Sequence, residues 1–345
     1  MKKGLILFFT GLCLLTVSAA AQRTLTTTWE SQKASVSTTL GLTEIGITYS
    51  APAVKGRKIW GGLVPYGEVW RAGANDNTVI SFPEDVKING KDIPAGRYGL
   101  HMIPTENEWT VIFSKDNNGW GSYAYTQEND ALRISVKPVE TPFEESLIYT
   151  FKNKKADAAD VVLSWEKLSV SFTVWLDVKK SVLKNMKREL TNAAQFNFAA
   201  WNQAANFCLS NNYALDEGLK FADRSISMNE NFDNLKTKAG LLALKGNQKE
   251  ADELNKKAMK MANETQLNAY GYQLLGQKKM KEALEIFKMN AERNPESWNA
   301  LDSYAEGLEQ SGEKKDALMY YKKALSNAPE NQKKRLQDKI NELSK

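Results

Sequence analysis

The residues best suited to chemistry lie in one glycine-rich run, from Lys55 to Asn77, which also contains two tryptophans and several polar side chains. Arg71 in this run offers five donors in a planar fork, a geometry that suits a carboxylate or a phosphate. We predict a small-ligand site here, and its candidate residues are Lys55, Arg57, Tyr66, Arg71, Asn75, Asp76 and His101. In the alternative interpretation, Arg71 pairs with Glu68 or Asp76. The two tryptophans then fill the core, and the glycines only shape a long connection.

His101 is the only histidine in the chain. Its unperturbed pKa of about 6.5 would suit a general acid or base. The competing interpretation is a structural histidine whose ring nitrogens are satisfied within the fold. A Ser–His–acid triad could use only this residue, and no motif near it in the sequence marks a nucleophile.

Several chemistries lack their residues or motifs. One histidine and the one cysteine expected in the mature chain cannot supply a zinc site of His and Cys ligands, although carboxylate calcium sites stay open. The sequence has no phosphate-binding Gly-x-x-x-x-Gly-Lys-Ser/Thr loop, no Gly-x-Gly-x-x-Gly fingerprint after a strand and no Gly-x-Ser-x-Gly elbow. We therefore expect no metal and no cofactor, and we favour a non-enzymatic function.

The N-terminus has the three parts of a secretory signal peptide. Lys2 and Lys3 supply the positive start, residues 5–17 form an apolar run, and Ala19-Ala20-Ala21 fits a small-x-small cleavage site. The run is too short to span about 30 Å of hydrocarbon. We predict cleavage after Ala21, export to the periplasm or the extracellular space, and no transmembrane segment in the mature chain.

The cysteine content predicts a fold without an internal disulfide bond. Cys13 would leave with the signal peptide, so that Cys208 is the only cysteine of the mature chain. Its neighbours are typical of a helix interior, and we predict a buried thiol rather than a reactive one.

From Lys33 to Asp177 the sequence has the alternation and turn chemistry of β structure. The predicted strands are Thr43–Ser50, Asn77–Phe82, Tyr98–Ile103, Glu108–Ser114, Ala131–Val136, Glu145–Phe151, Ala159–Glu166 and Val170–Leu176. Asn89-Gly90 predicts a two-residue hairpin, because a type I′ turn needs positive φ at both positions. About eight to ten short strands with tight turns indicate an antiparallel β-sandwich or barrel-like domain.

Beyond Lys179 the period changes, because apolar residues recur every three or four positions as in amphipathic helices. Ala283, Phe287, Asn290 and Pro295 are matched at one constant offset by Ala317, Tyr321, Ala324 and Pro329. This offset resembles the length of the tetratricopeptide repeat, in which small residues let paired helices approach closely. The resemblance covers about 199–330, with a firm register in the last two units and slips in the first two. An α-α superhelix is the fold that it implies.

The β half resembles a known family over about Ser31 to Asp177. The resemblance rests on the Lys55–Asn77 run, on Ala34-Ser35-Val36 before it, and on Pro94-Ala95-Gly96-Arg97-Tyr98 and Glu108–Phe113 after it. With these motifs it is similar to the family called domain of unknown function 2911. The resemblance implies a β fold and frequent export. It implies no reaction and no catalytic residue.

The periods divide the chain into five predicted segments. These are a signal peptide over 1–21, a β domain over 22–178, a linking helix over 179–198, repeats over 199–330 and a capping helix over 331–345. The concave face of the repeats is the natural binding surface. The register places Gln203, Lys236, Asn268, Tyr272, Asn299, Asp302 and Glu306 on that face.

A protein or peptide partner in this groove is the predicted interaction. Lys236 is the only basic residue of the set, so a basic clamp for a peptide carboxylate is not supported. The alternative is that the repeats serve as a spacer or a self-association surface. Nucleic acid is not expected as a partner, because both signs of charge alternate along the helices.

Together these features favour an exported envelope protein of bacterial type that acts as a protein-interaction scaffold, with a candidate small-ligand site in the β domain. The alternative is a hydrolase of carbohydrate or peptidoglycan-like material, which would use Arg71, His101 and nearby carboxylates in the β domain.

Overall fold

The computed structural model describes residues 28–345, which divide into two units between Leu176 and Asp177. The predicted signal peptide, its cleavage site after Ala21 and Cys13 lie outside the described residues. Within residues 28–345, no helix is both long enough and apolar enough to cross a membrane.

The first unit consists of two antiparallel sheets in a sandwich-like arrangement. Its strands are β1 (Gln32–Leu40), β2 (Thr43–Ala51), β3 (Thr78–Phe82), β4 (Val86–Ile88), β5 (Lys91–Ile93), β6 (Gly96–Ile103), β7 (Trp109–Ser114), β8 (Asp130–Val136), β9 (Val139–Lys152) and β10 (Ala158–Trp175). One sheet has the order β1-β2-β3-β6-β7-β8 and the other β5-β4-β10-β9. The predicted antiparallel β fold is confirmed. Its sandwich form is the one observed, since the described strands form two sheets and no closed barrel.

The core of this unit lies between the sheets and follows the alternation of the sequence. Ile45, Ile47 and Tyr49 of β2 are buried on one face, as their spacing predicts. Phe113 of β7 packs edge-on against Phe172 of β10, with ring centroids 5.4 Å apart, and so joins the two sheets.

One turn and one bulged strand show where the local sequence predicts the backbone and where it does not. Asn89 and Gly90 have φ values of 47° and 82°, and the strands that they join pair as Ile88 with Lys91, which confirms the predicted hairpin. The prediction of two separate strands at Ala159–Glu166 and Val170–Leu176 was wrong, because the chain continues as β10. Bulges on both sides of Glu166, which has φ 56°, absorb the change of register without ending the strand.

The second unit is helical. Its helices are α1 (Val178–Glu189), α2 (Phe198–Ser210), α3 (Leu215–Met228), α4 (Phe232–Leu244), α5 (Gln248–Met261), α6 (Glu264–Gly276), α7 (Met280–Arg293), α8 (Trp298–Ser311), α9 (Lys314–Asn327) and α10 (Glu330–Leu343). Helices α2–α9 pack as four consecutive pairs, and α10 packs on α9. This arrangement is the predicted repeat architecture, in which each pair buries its apolar face against its neighbours.

The N-cap residues of the first helices show the repeat register, because their spacing gives the length of each repeat. They are Asn197, Asn231, Asn263 and Ser297, and each accepts a hydrogen bond from a backbone N–H of the first turn. The intervals 197–231 and 263–297 are equal, whereas the interval 231–263 is shorter by two positions. The slip predicted for the early units is therefore a shortening between the second and third helix pairs.

Small residues occupy the positions where helices approach most closely. Ala239, Ala251, Ala305 and Ala317 are fully buried, as the repeat spacing predicts. Gly271 stands where α6 meets the ring of Phe287, and a Cβ built there would lie 2.7 Å from Phe287 Cδ1.

Candidate functional site

Four of the seven predicted ligand residues line one cavity of about 310 Å³ in the β unit. Lys55, Arg57, Arg71 and Asn75 come from the connection between β2 and β3, and Trp165 of β10 also lines it. We call this space the Arg71 cavity. Its size falls within the range of small-molecule pockets.

The backbone beside Arg71 is held rigidly. Ala72 is fully buried with φ 51°, in the left-handed region that is unusual for alanine. Its carbonyl accepts hydrogen bonds from Thr78 Oγ1 at 3.0 Å and from the Tyr149 hydroxyl at 2.9 Å. Nearby in the cavity lining, Asn75 Nδ2 donates to the Ser31 carbonyl at 3.1 Å. The fold therefore fixes the position from which the Arg71 side chain extends.

The other two cations of the cavity have partners. Arg57 donates from Nε to the Val54 carbonyl at 3.1 Å and from Nη2 to the Ala53 carbonyl at 2.5 Å. Lys55 pairs with Glu30 at 3.3 Å, and both of these side chains are largely exposed. Such a surface pair contributes little to stability. Arg57 is thus anchored by backbone, whereas Lys55 is free to exchange its partner.

Arg71 differs from both. Within residues 28–345 no carboxylate forms an ion pair with it, so it does not make the predicted alternative contacts with Glu68 or Asp76. Its Nε is buried and has no hydrogen-bond partner among the described residues. Burial lowers the pKa of the guanidinium, and the Tyr123 hydroxyl opposes part of that shift. A partly buried charge without a counterion destabilises the folded protein unless another group, such as a bound ligand, supplies the opposite charge.

The tryptophans of the run serve both the core and the cavity. Trp60 is buried, with its ring centroid 4.6 Å from that of Trp109, which matches the core interpretation. Trp70 lines the cavity, and its ring is stacked with that of Trp165 at a centroid distance of 5.9 Å. Trp165 Nε1 is buried and has no hydrogen-bond partner within residues 28–345. Two donors without partners, on Arg71 and Trp165, thus belong to residues that line the same cavity.

The remaining predicted ligand residues do not line the Arg71 cavity. The Tyr66 ring lies close to Gly61, where an added Cβ would be 2.9 Å from it. Asp76 is exposed and forms a β-bridge with Trp120. His101 lies on β6 and contacts the loop that carries Ser122. Tyr66 and Asp76 belong to the same connection as Arg71, but its fold turns them away from the cavity, and His101 lies outside that connection on β6.

His101 instead contacts a serine that sequence reasoning missed. Its Nδ1 shares a hydrogen bond of 3.0 Å with Ser122 Oγ. Only 2% of the His101 surface is exposed, and burial lowers its pKa to about 4, although Asp130 and Asp116 oppose the shift. The imidazole is therefore neutral at pH 7.

The loop that carries Ser122 is held by one asparagine. Asn77 Oδ1 accepts from the Gly119 N–H at 2.7 Å, and its Nδ2 donates to the Gly121 carbonyl at 2.8 Å. Asn77 thus positions the loop and does not line the Arg71 cavity. No short motif links these residues, so only the fold could reveal the Ser122–His101 pair.

The helical unit contains a larger cavity of about 750 Å³, formed by α2, α4 and α6 with α5 at its edge. Amide side chains on α2, on α6 or just after α6 dominate its wall: Asn202, Gln203, Asn206, Gln266, Gln273 and Gln277. We call it the amide groove. Asn202 Oδ1 is buried there without a hydrogen-bond partner among the described residues.

Lys236 forms part of this wall in a fixed geometry. Its Nζ donates to Asn255 Oδ1 at 2.8 Å and lies 4.0 Å from the centroid of the Tyr270 ring. The lining holds two lysines, Lys236 and Lys279, and one carboxylate, Asp233. Because the positive and negative charges of the lining nearly balance, hydrogen bonding by amide side chains is the main chemistry of the amide groove.

Of the predicted groove residues, Gln203 and Lys236 line the amide groove, whereas Asn268, Tyr272, Asn299, Asp302 and Glu306 do not. The Tyr272 hydroxyl donates to Glu306 Oε2 at 2.7 Å. Arg335 of α10 pairs with Asp302 at 2.6 Å. The first contact joins α6 to α8 and the second joins α8 to α10, so both use polar groups that a partner would need.

The missed groove residues carried a signal that could have found them. Asn202 and Asn206 are four residues apart, and so are Gln273 and Gln277, which places each pair on one helix face. Repeated amides at this spacing on the first helix of a unit mark the lining better than the repeat register alone.

Residues 31–174 match the family model described as protein of unknown function DUF2911. The DUF2911 match covers β1–β9 and nearly all of β10, and with them every residue of the Arg71 cavity except Glu30. It confirms the resemblance predicted from the motifs around Lys55–Asn77. Among the curated proteins, none matches this chain.

Solved structures similar to this chain include one tetratricopeptide-repeat protein, YrrB, together with PilF and MamA. YrrB, described as a TPR protein with an unusual peptide-binding site, is 17% identical with a TM-score of 0.27, covering 46% of this chain and 91% of YrrB. PilF of Pseudomonas aeruginosa is 19% identical with a TM-score of 0.28, covering 42% and 67%. MamA of Desulfovibrio magneticus RS-1 is 14% identical with a TM-score of 0.26, covering 43% and 93%.

Proposed function

We propose that this protein is an exported scaffold that holds an extended segment of a partner protein in the amide groove. The observation that carries the proposal is a groove of about 750 Å³ whose wall is rich in amides and includes the unpartnered Asn202 Oδ1. Amide side chains both donate and accept, as a peptide backbone does. A DUF2911 region joined to helical repeats fits a protein-interaction scaffold of this kind.

The groove favours an uncharged, extended peptide. Its charged residues nearly balance, so charge complementarity would add little to binding. A ladder of amides can instead satisfy successive N–H and C=O groups of a backbone that lies along it. Tyr270 also lines the groove and contributes an aromatic ring that a side chain of that peptide can contact.

Groove variants should lose peptide binding. Random dodecapeptides would be selected by display on the full mature chain, and binding of the enriched peptides measured by fluorescence anisotropy. We expect Asn202→Ala to weaken them about ten-fold, because a peptide donor then loses its acceptor. The matched control is Gln337→Ala on α10, an exposed amide outside the groove, which should bind as the wild type does. Equal binding by both variants would contradict the proposal.

Export is the second part of the proposal, and it rests on the N-terminal sequence. We expect the full-length chain, expressed in a Gram-negative host, to yield a mature form that begins at Gln22 when its intact mass is measured. Replacing Ala19 and Ala21 together with leucine should retain the longer precursor, since the cleavage site requires small residues. A mature protein that still begins at Met1 would refute export by this route.

A second candidate function, hydrolysis of carbohydrate or peptidoglycan-like material in the β domain, is favoured by the Ser122–His101 hydrogen bond. A serine beside a neutral imidazole has the parts of an activated nucleophile. Under this candidate, Ser122→Ala abolishes release of acetate from acetylated peptidoglycan fragments while the unfolding midpoint is kept. Turnover that survives Ser122→Ala removes the candidate.

A further inference from the structure

We propose that the Arg71 cavity binds a small molecule through an oxyanion, a carboxylate or a phosphate, which Arg71 and the Trp165 indole N–H receive. This site lies in the β unit and goes beyond peptide binding by the repeats.

The cavity is lined by an excess of donors. Arg71, Arg57 and Lys55 contribute cationic groups, and among the described residues Glu30 is the only carboxylate that lines it. An indole N–H and a guanidinium can donate but cannot accept. A ligand that satisfies them must therefore offer acceptors, and the surplus positive charge selects a negative one.

The donors without partners distinguish this cavity from an ordinary surface cleft. Trp165 is 1% exposed, and its Nε1 has no partner within residues 28–345. Arg71 Nε is also buried without a partner, and no carboxylate in that range forms an ion pair with the side chain. Buried donors are rarely left unpaired in native proteins. A ligand oxyanion in the cavity would supply the negative charge that Arg71 lacks and the acceptor that the Trp165 N–H lacks.

The cavity is also preorganised for a compact ligand. The backbone at Ala72 is fixed by two hydrogen bonds to its carbonyl, and Asn75 is tied to Ser31. The stacked rings of Trp70 and Trp165 supply an apolar wall beside the donors. A volume of about 310 Å³ accommodates an oxyanion attached to a single small ring or short chain.

The test is calorimetric titration of the full mature chain at constant ionic strength. The probes are sodium phosphate and glucose 6-phosphate for the phosphate arm, and sodium acetate and galacturonate for the carboxylate arm. Glucose and sodium chloride are the neutral and simple-ion controls. We expect saturable binding in one arm at least and none for the controls. No saturable binding by any oxyanion up to about 10 mM would overturn the proposal.

Arg71→Met is the decisive variant. It should weaken binding of the oxyanion probe at least ten-fold, because it removes a charge-assisted hydrogen bond. It should also raise the urea midpoint of the ligand-free protein, because it removes a partly buried charge that lacks a counterion. A merely structural arginine would lower that midpoint. Arg97→Met, an exposed arginine on β6 outside the cavity, is the control and should leave binding unchanged.

A second variant keeps the proposal testable if Arg71→Met does not fold. Trp165→Phe keeps an aromatic ring but removes the N–H, and we expect it to weaken oxyanion binding several-fold. Binding as tight as wild type in both Arg71→Met and Trp165→Phe would show that the probes bind elsewhere, which overturns the assignment to this cavity. Peptide binding in the amide groove should be unaffected by either variant, so the two proposals can fail separately.

Discussion

Lowering the pH from about 7 to about 4 should remove about 3 kcal/mol of unfolding free energy through His101 alone. In the folded protein burial lowers the His101 pKa to about 4. In the unfolded chain it returns to about 6.5. As the pH falls through this window, the unfolded chain binds the proton first. The stabilisation is therefore complete above pH 6.5 and is lost as the pH falls towards 4.

Comparison with a non-titrating variant isolates this effect. His101→Gln keeps a polar side chain beside Ser122 but cannot titrate. Urea unfolding of both proteins at several pH values would be followed by tryptophan fluorescence, since seven of the nine tryptophans lie in residues 22–178. We expect the wild type to lose about 3 kcal/mol more than the variant between pH 7 and pH 4. Parallel losses in the two proteins would show that other groups cause the acid sensitivity.

Gly271→Ala should destabilise the helical unit by about 1–3 kcal/mol, although alanine is the better helix former. An added Cβ would lie 2.7 Å from Phe287 Cδ1, and Phe287 is fully buried and cannot move away freely. Thermal unfolding followed by circular dichroism at the helix band would measure the loss.

The same helix supplies the control. Gly276 ends α6, and a Cβ built on it would meet no atom within 4 Å. Gly276→Ala should therefore be neutral or stabilise by up to about 1 kcal/mol. The double variant Gly271→Ala with Phe287→Leu should recover part of the loss. If the two glycine variants had equal effects, close packing would not be the reason for Gly271.

The repeat register by itself would predict the opposite result at this position. Ala305 stands one repeat length after Gly271, and Tyr321 stands one repeat length after Phe287. Alanine is therefore acceptable at the equivalent position of the next pair. There the Tyr321 hydroxyl donates to Glu309 at 2.6 Å, a bond that phenylalanine cannot make. Periodicity finds the position, whereas the neighbouring side chain decides which residue it tolerates.

Local signals predicted the parts of the fold that local energetics decide. The Asn89-Gly90 turn follows from positive φ at both residues, and the helix pairs follow from their apolar period. The continuity of β10 did not follow, because bulges around Glu166 are invisible to a rule based on alternation. The same limit applies to the early repeats, where one shortened interval shifts the register.

The Arg71 cavity was predictable only where its residues are neighbours in sequence. Four of its residues come from the glycine-rich run that the sequence predicts as a ligand site: Lys55, Arg57, Arg71 and Asn75. Trp165 joins them from β10, at the far end of the β unit's sequence, and no pattern in the sequence links it to Arg71. Ser122 likewise reaches His101 only because Asn77 holds its loop. Pairing across the fold depends on tertiary packing that a linear pattern does not encode.

Cys208 gives the helical half a reporter of its own motion. It is fully buried in α2, and an added Cβ on Gly218 of α3 would lie 2.7 Å from its Cβ, so a thiol reagent can reach it only when these helices separate. Burial also raises the pKa of the thiol, which slows its reaction further while the helices stay together. The rate at which Cys208 is modified therefore measures how often the first helix pair opens, while tryptophan fluorescence follows mainly the β unit.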